Sequence, residues 1–162
     1  MATHPDVEFD EWVAARVPAL MRFAYLVTGS QDAAEEAVQS ALAAACEKWA
    51  RVRRTQDPDA YVRRMIANAH VSQWRRFGRR VVVGEVPERQ SADHAERLAT
   101  NDAVWRVCAT LPRQQRAAVV LRFYEDLEYA EIARILEVAE ATVRSHIHRA
   151  LSALREELGK EA

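Results

Sequence analysis

An all-α protein of two small helical domains is the architecture this sequence predicts. Three observations predict it. Gly is scarce, four in 162 residues, and much of the 49% hydrophobic content is Ala, a strong helix former. Apolar residues recur at spacings of three and four, the helical period, rather than in alternation. The stretch 111–158 carries two helical patterns split by a short break, the second long and Arg-bearing: a helix-turn-helix.

The elements follow in order. Val7, Trp12, Val13, Val17, Leu20, Met21, Ala24 and Leu26 place a first helix over 7–27, which Pro18 must kink or split. Gly29 ends it. Asp32 and Glu35, at the spacing of a capping box, start a second helix reaching about residue 49. Its apolar stripe is Ala34, Val38, Ala41, Leu42, Ala45 and Trp49, and its other face shows Glu35, Glu36, Gln39 and Ser40. A loop follows over 51–56. Asp57-Pro58 is a cap followed by Pro at the first helical position. The third helix runs from there to about residue 77, and Gly78 stops it.

Val62, Met65, Ile66 and Ala69 form its core stripe. Tyr61, Arg64, Asn68, Ser72, Arg75 and Arg79 share a neighbouring face, and Trp74 lies with Arg63 and His70 on another. Aromatics, an amide and arginines on one surface suit an unstacked nucleic-acid base. The same pattern also suits rings packed inside with solvated arginines.

Residues 79–93 lack an apolar period and contain Gly84 and Pro87, which reads as an interdomain linker. Helices resume over 93–110 and 112–124. The helix-turn-helix then places its first helix at 128–135, its break at Glu137-Val138-Ala139 and its second helix at 140–158. Glu137 or a neighbour must take the left-handed backbone that Gly often supplies in such turns. Val143, Ile147, Ala150, Leu151, Leu154 and Leu158 form one stripe of the second helix. Ala141, Ser145, His148, Arg149 and Ser152 lie opposite, with Thr142 and Arg144 flanking. Such a face fits the major groove, and it also fits an ordinary solvated surface.

Net charge is −1, but its distribution is uneven. Residues 1–50 carry −5 and residues 51–80 carry +7, with nine Arg against Asp57 and Asp59. A basic block in a near-neutral chain is an electrostatic footprint for polyanions. Cys46 and Cys108 each fall among apolar helical residues and read as buried free thiols. His146 and His148, two apart on a helix, diverge and cannot chelate one ion together. No metal set, Gly-rich phosphate loop or nucleophile motif stands out, so neither an enzyme nor a cofactor is expected. No apolar stretch approaches the roughly 20 residues that span a bilayer. The acidic start, 1–11, is not a signal peptide, and a cytoplasmic protein is expected.

Four words of sequence, in this order, carry a resemblance: AYLVTGSQDAAEEAVQSAL, DPDAYVRRMIANAHVSQWRR, LPRQQRAAVVLRFYEDLEYAEIARIL and ATVRSHIHRALSALREEL. The chain resembles the extracytoplasmic-function (ECF) group of bacterial RNA polymerase sigma factors, in the sigma-70 family, and most of all an actinobacterial SigE-like subgroup. The resemblance implies sigma region 2 over 7–80, a linker over 81–94 and region 4 over 95–160. It implies core RNA polymerase and promoter DNA as partners. Glu35, Glu36 and Gln39 would dock on the clamp helices of the polymerase β′ subunit. Ser40 follows them where members often carry an acidic residue.

Tyr61, Arg64, Asn68, Trp74, Arg75, Arg76 and Arg79 would serve the −10 element, with Asn68 near a flipped base. Arg122, Thr142, Arg144, Ser145, His148 and Arg149 would serve the −35 element. Members often have Arg at the place of His146 and Gly at that of Ala141. Region 4 would meet the β flap, and an anti-sigma factor is a further partner the resemblance brings in. The free protein is expected to be a monomer. The alternative is a stand-alone helix-turn-helix regulator, which would more often carry an α/β ligand domain ahead of the DNA-binding one.

Overall fold

The structure is a computed structural model, and it describes residues 5–78 and 103–160. The described residues contain eight helices and no strand. The N-terminal domain holds α1 (Pro5–Thr28), α2 (Gln31–Glu47), α3 (Trp49–Val52) and α4 (Pro58–Gly78). The C-terminal domain holds α5 (Ala103–Cys108), α6 (Arg113–Phe123), α7 (Tyr129–Leu136) and α8 (Glu140–Lys160). The linker expected at 81–94, with Arg79, lies outside the described residues.

Most elements form where periodicity places them, and the departures have local causes. Pro18 does not split α1, which is continuous through it. Pro18 and Ala14 are both exposed, so water can take the Ala14 carbonyl that Pro18 cannot bond. Gly29 ends α1 at φ +73°, while its N–H still donates to the Tyr25 carbonyl at 2.7 Å. The cap of α2 is Ser30 rather than Asp32: the Ala33 N–H donates to Ser30 Oγ at 3.3 Å. Asp32 instead sits in the first turn, where its charge complements the helix dipole.

After α2 the expected loop is partly the short helix α3, because Trp49 and Val52 are both buried and draw the chain back onto the core. Asp57 caps α4 as expected, accepting from the Ala60 N–H at 3.0 Å. Cys108 is buried but Cys46 is exposed, against expectation, and the two are not joined in a disulfide. Position 46 lies 100° past the buried Ala45, and its Ala neighbours are too small to mark a face.

Two apolar cores hold the chain. A small one belongs to the C-terminal domain: Val107, Cys108, Leu111, Val119, Ala150 and Leu154. The larger one crosses between domains. It runs from Phe23 and Val27 of α1, through Val62, Ile66 and Val71 of α4, to Ala118, Leu121, Ile132 and Val143. Helix α1 packs on α6, and α4 packs on α7. A fully buried Phe23 or Leu121 contributes about 1.5–3 kcal/mol, so this shared core is the main adhesive between the domains.

Each domain also completes a helix end in the other. Arg116 of α6 donates from Nη1 to the Thr28 carbonyl at the end of α1, at 2.6 Å. Its other nitrogen reaches the Ala109 and Leu111 carbonyls at 3.2 and 2.9 Å. The guanidinium fills the space over Gly29, so a Cβ there would overlap it. In return, Arg75 of α4 donates from Nη2 to the Leu136 and Glu137 carbonyls at the end of α7, at 2.5 and 2.9 Å. Cations at helix C-termini oppose the negative end of the dipole and satisfy orphan carbonyls.

Candidate nucleic-acid interface

The helix-turn-helix is built without glycine. Glu137 takes the left-handed conformation itself, at φ 55° and ψ 47°. The Val138 N–H reaches back to the Ala133 carbonyl at 3.1 Å, and α8 begins at Glu140. Val143, Ile147, Ala150 and Leu154 bury the inner stripe. The outer face is open: Arg144, Ser145, His148 and Arg149 are exposed, with Thr142 half-buried beside them. Arginines and hydroxyls on a bare helix face can reach base edges and phosphates.

A feature the sequence reading missed organises this surface. Two arginines stand over the Tyr129 ring, Arg122 at 5.0 Å and Arg144 at 5.5 Å from its centroid. Arg122 is further fixed by donating from Nη1 to the Leu127 carbonyl at 2.9 Å. One aromatic ring thus aligns cations from α6 and α8. His146 turns the other way, half-buried, with neither ring nitrogen hydrogen-bonded. Burial, and then the nearby Arg149, push its pKa below the usual histidine range.

On the N-terminal domain, α2 and α4 enclose an open groove of about 520 Å³. Tyr61, Arg64 and Asn68 line it from α4, and Ser40 and Lys48 from α2. An exposed amide beside an aromatic ring and a guanidinium can stack on and hydrogen-bond to one base. Glu35 and Glu36 are exposed on α2 about one turn before Ser40, and Gln39 is exposed next to it.

Trp74 and Arg75 do not join this groove. Trp74 is half-buried against the C-terminal domain, with Arg113 over its ring at 5.4 Å. Arg75 bonds the end of α7 and pairs with Glu137 at 2.6 Å. Arg76 is exposed. His70 is buried beside Trp74, its Nε2 without a hydrogen bond. Burial first, then Arg113 and Arg116, lower its pKa to about 4.

The arrangement has counterparts. The family profile of Sigma-70 region 2 matches residues 12–80, and that of Sigma-70, region 4, matches residues 101–154. The chain belongs to the sigma-70 family of RNA polymerase sigma factors. Among its relatives, the RNA polymerase sigma-E factor of Streptomyces coelicolor is 35% identical, over 94% of this chain and 86% of the relative. The ECF RNA polymerase sigma factor SigM of Mycobacterium tuberculosis is 30% identical, over 93% and 77%.

Among solved structures, the sigma factor RpoE from Bartonella quintana, in complex with the anti-sigma factor NepR, shares the fold. Its TM-score is 0.61 at 23% identity, covering 94% of this chain and 97% of that one. The all-α sigma fold, its ECF membership and its SigE-like relatives are therefore as the sequence indicated. In this sigma factor no described helix is long and apolar enough to cross a membrane. No group of three His, Cys, Asp or Glu that could hold a metal occurs among the described residues.

Proposed function

We propose that this sigma factor binds core RNA polymerase through the exposed edge of α2, reads the −10 element with region 2 and the −35 element with region 4. Glu35, Glu36 and Gln39 meet the β′ clamp helices, and region 4 meets the β flap. The groove of Tyr61, Arg64 and Asn68 takes an unstacked −10 base. Trp74, Arg75, Arg76 and Arg79 serve the adjoining strand once region 4 has moved aside. Helix α8 enters the −35 major groove with Thr142, Arg144, Ser145, His148 and Arg149, supported by Arg122.

The protein supplies recognition, and the polymerase supplies the chemistry. It needs no cofactor and works in the cytoplasm as a monomer until it meets polymerase. An anti-sigma factor is a candidate third partner.

One observation carries this reading. The exposed Asn68 shares a groove with Tyr61 and with α2, one turn from the acidic edge assigned to the polymerase. Extruding a base costs a few kcal/mol, which such a pocket offsets. The test is reconstituted run-off transcription over a genomic fragment library. Starts at sites sharing two spaced motifs, only when the protein is present, are expected. Asn68→Ala should abolish most −10-dependent starts and leave core binding unchanged. Equal loss of core binding would reject the role of Asn68. Starts independent of the protein would favour a stand-alone regulator.

A further inference from the structure

The α2 wall of the α2–α4 groove has a chemistry of its own. Ser40, Ala44 and Lys48 line it at intervals of four residues, so they stack in one row along the helix. The row offers a hydroxyl, a methyl and an ammonium. At 3.6 residues per turn, Ser40 is turned about 100° from Gln39 and about 140° from Glu35. It therefore stands on the groove, while the edge proposed for the polymerase looks elsewhere. Ala41 and Ala69 also line the groove, and side chains this small leave room for a planar ring. Ser40 and Lys48 are both exposed, and their positions lie about 12 Å apart along α2. That span is comparable with one nucleotide, from its phosphate to the far edge of its base. No described residue that lines the groove is acidic. Arg64, the other cation there, already lies 3.7 Å from Glu131. Lys48 has no carboxylate partner among the described residues.

We propose that α2 supplies the second half of the −10 nucleotide site: Lys48 holds the phosphate of the extruded nucleotide, and Ser40 reads the edge of its base. This rests on the reading of the groove as the −10 site and deepens it. A serine hydroxyl both donates and accepts, so by itself it admits a carbonyl or an amino group on the base. A carboxylate at the same place only accepts, and so selects the amino groups of adenine and cytosine. Position 40 thus sets which bases the groove tolerates, and serine is the permissive setting. Lys48 meets a group that every nucleotide carries, so it adds affinity without choice.

The test uses holoenzyme assembled from the full chain and core polymerase. The probes are fluorescein-labelled single strands carrying the −10 motif recovered from the run-off library, with each of the four bases in turn at every motif position. Ser40→Asp should shift the balance toward adenine and cytosine at one position by at least about fivefold, the worth of one net hydrogen bond. Its affinity for core polymerase should equal that of the wild type. Lys48→Ala should weaken every strand by a common factor. It should also reduce the salt slope of binding by about 0.7, the share of one phosphate on a single strand. Lys48→Arg should restore both. Both residues are exposed, so neither change threatens the fold.

An unchanged base order in Ser40→Asp overturns the base reading, and a loss of core affinity in its place returns Ser40 to the polymerase edge. An unchanged salt slope in Lys48→Ala, or a loss confined to certain bases, overturns the phosphate role. Asn68→Ala separates this inference from the reading beneath it. If that variant binds every strand as the wild type does, the groove is not the −10 site and both fail. If it loses binding while Ser40→Asp and Lys48→Ala stay silent, only the part given to α2 fails.

Discussion

Helices α8 and α4 both carry arginines suited to DNA, yet the fold treats them oppositely. The outer face of α8 is bare, and its Arg144 leans on Tyr129 of its own domain. Three arginines of α4, Arg63, Arg64 and Arg75, are met across the domain boundary by Glu125, Glu131 and Glu137. A cation supported from within its domain stays available whatever the other domain does. A cation neutralised from the other domain is available only after the two part. The difference suits the tasks proposed for them: duplex −35 DNA is always present to be read, whereas an unpaired −10 strand would exist only after polymerase has engaged.

The largest expected break in this contrast is Arg63→Ala. It leaves the covered Glu125 carboxylate without its cation, at a cost of about 3–5 kcal/mol to the closed form. Small-angle scattering should show an expanded chain, while binding of α8 to duplex −35 DNA is unchanged. A compact variant would mean that the apolar core alone sets closure.

Acid should act next. His70 is buried among Trp74, Arg113 and Arg116, and its pKa falls to about 4. Once open, the ring regains its ordinary value near 6.5, so the open form binds the proton more readily. Closure is thus at full strength above about pH 6.5 and weakens as pH falls toward about 4. At about 1.4 kcal/mol per unit, the whole window amounts to about 3 kcal/mol. Glu125 opposes this at the acid end: burial pushes its carboxyl up more than Arg63 draws it down. Energy transfer between a dye on the exposed Cys46 and one at Glu156→Cys should therefore drop from pH 7 to about 5.5, and stay level when His70→Gln is added. A drop of the same size in both would remove His70 from the account.

The smallest effect sharpens the other side of the contrast. Arg149→Ala should weaken −35-dependent initiation by about 1–3 kcal/mol and leave the domain distance as it was. Unaltered −35 preference in a transcription assay would take Arg149 out of the base contacts.

Much of this was legible in the sequence, because helical periodicity needs only neighbours. The helix-turn-helix, the inner stripe of α8 and the Asp57-Pro58 start all follow from spacing. The spacing of Asp32 and Glu35 mimics a capping box and points two residues past the true cap, Ser30, which takes the N–H of Ala33. The joint between domains was not legible. Arg63 and Glu125 lie 62 residues apart, and each alone looks like a solvated charge. Arg116 gives no sign in the sequence that it will fill the hollow over Gly29. Periodicity places Trp74 with Arg63 and His70 on one face, but that this face meets region 4 depends on residues far along the chain.

The two reciprocal arginines have a consequence for how such proteins can be recombined. Arg116 finishes a helix of region 2, and Arg75 finishes a helix of region 4. Neither half is therefore a modular cassette. A chimera joining this region 2 to the region 4 of a relative inherits one half of each clasp, and would lose both helix-end contacts even if each half folds. Inheritance of the two domains as a matched pair is written into two guanidinium groups.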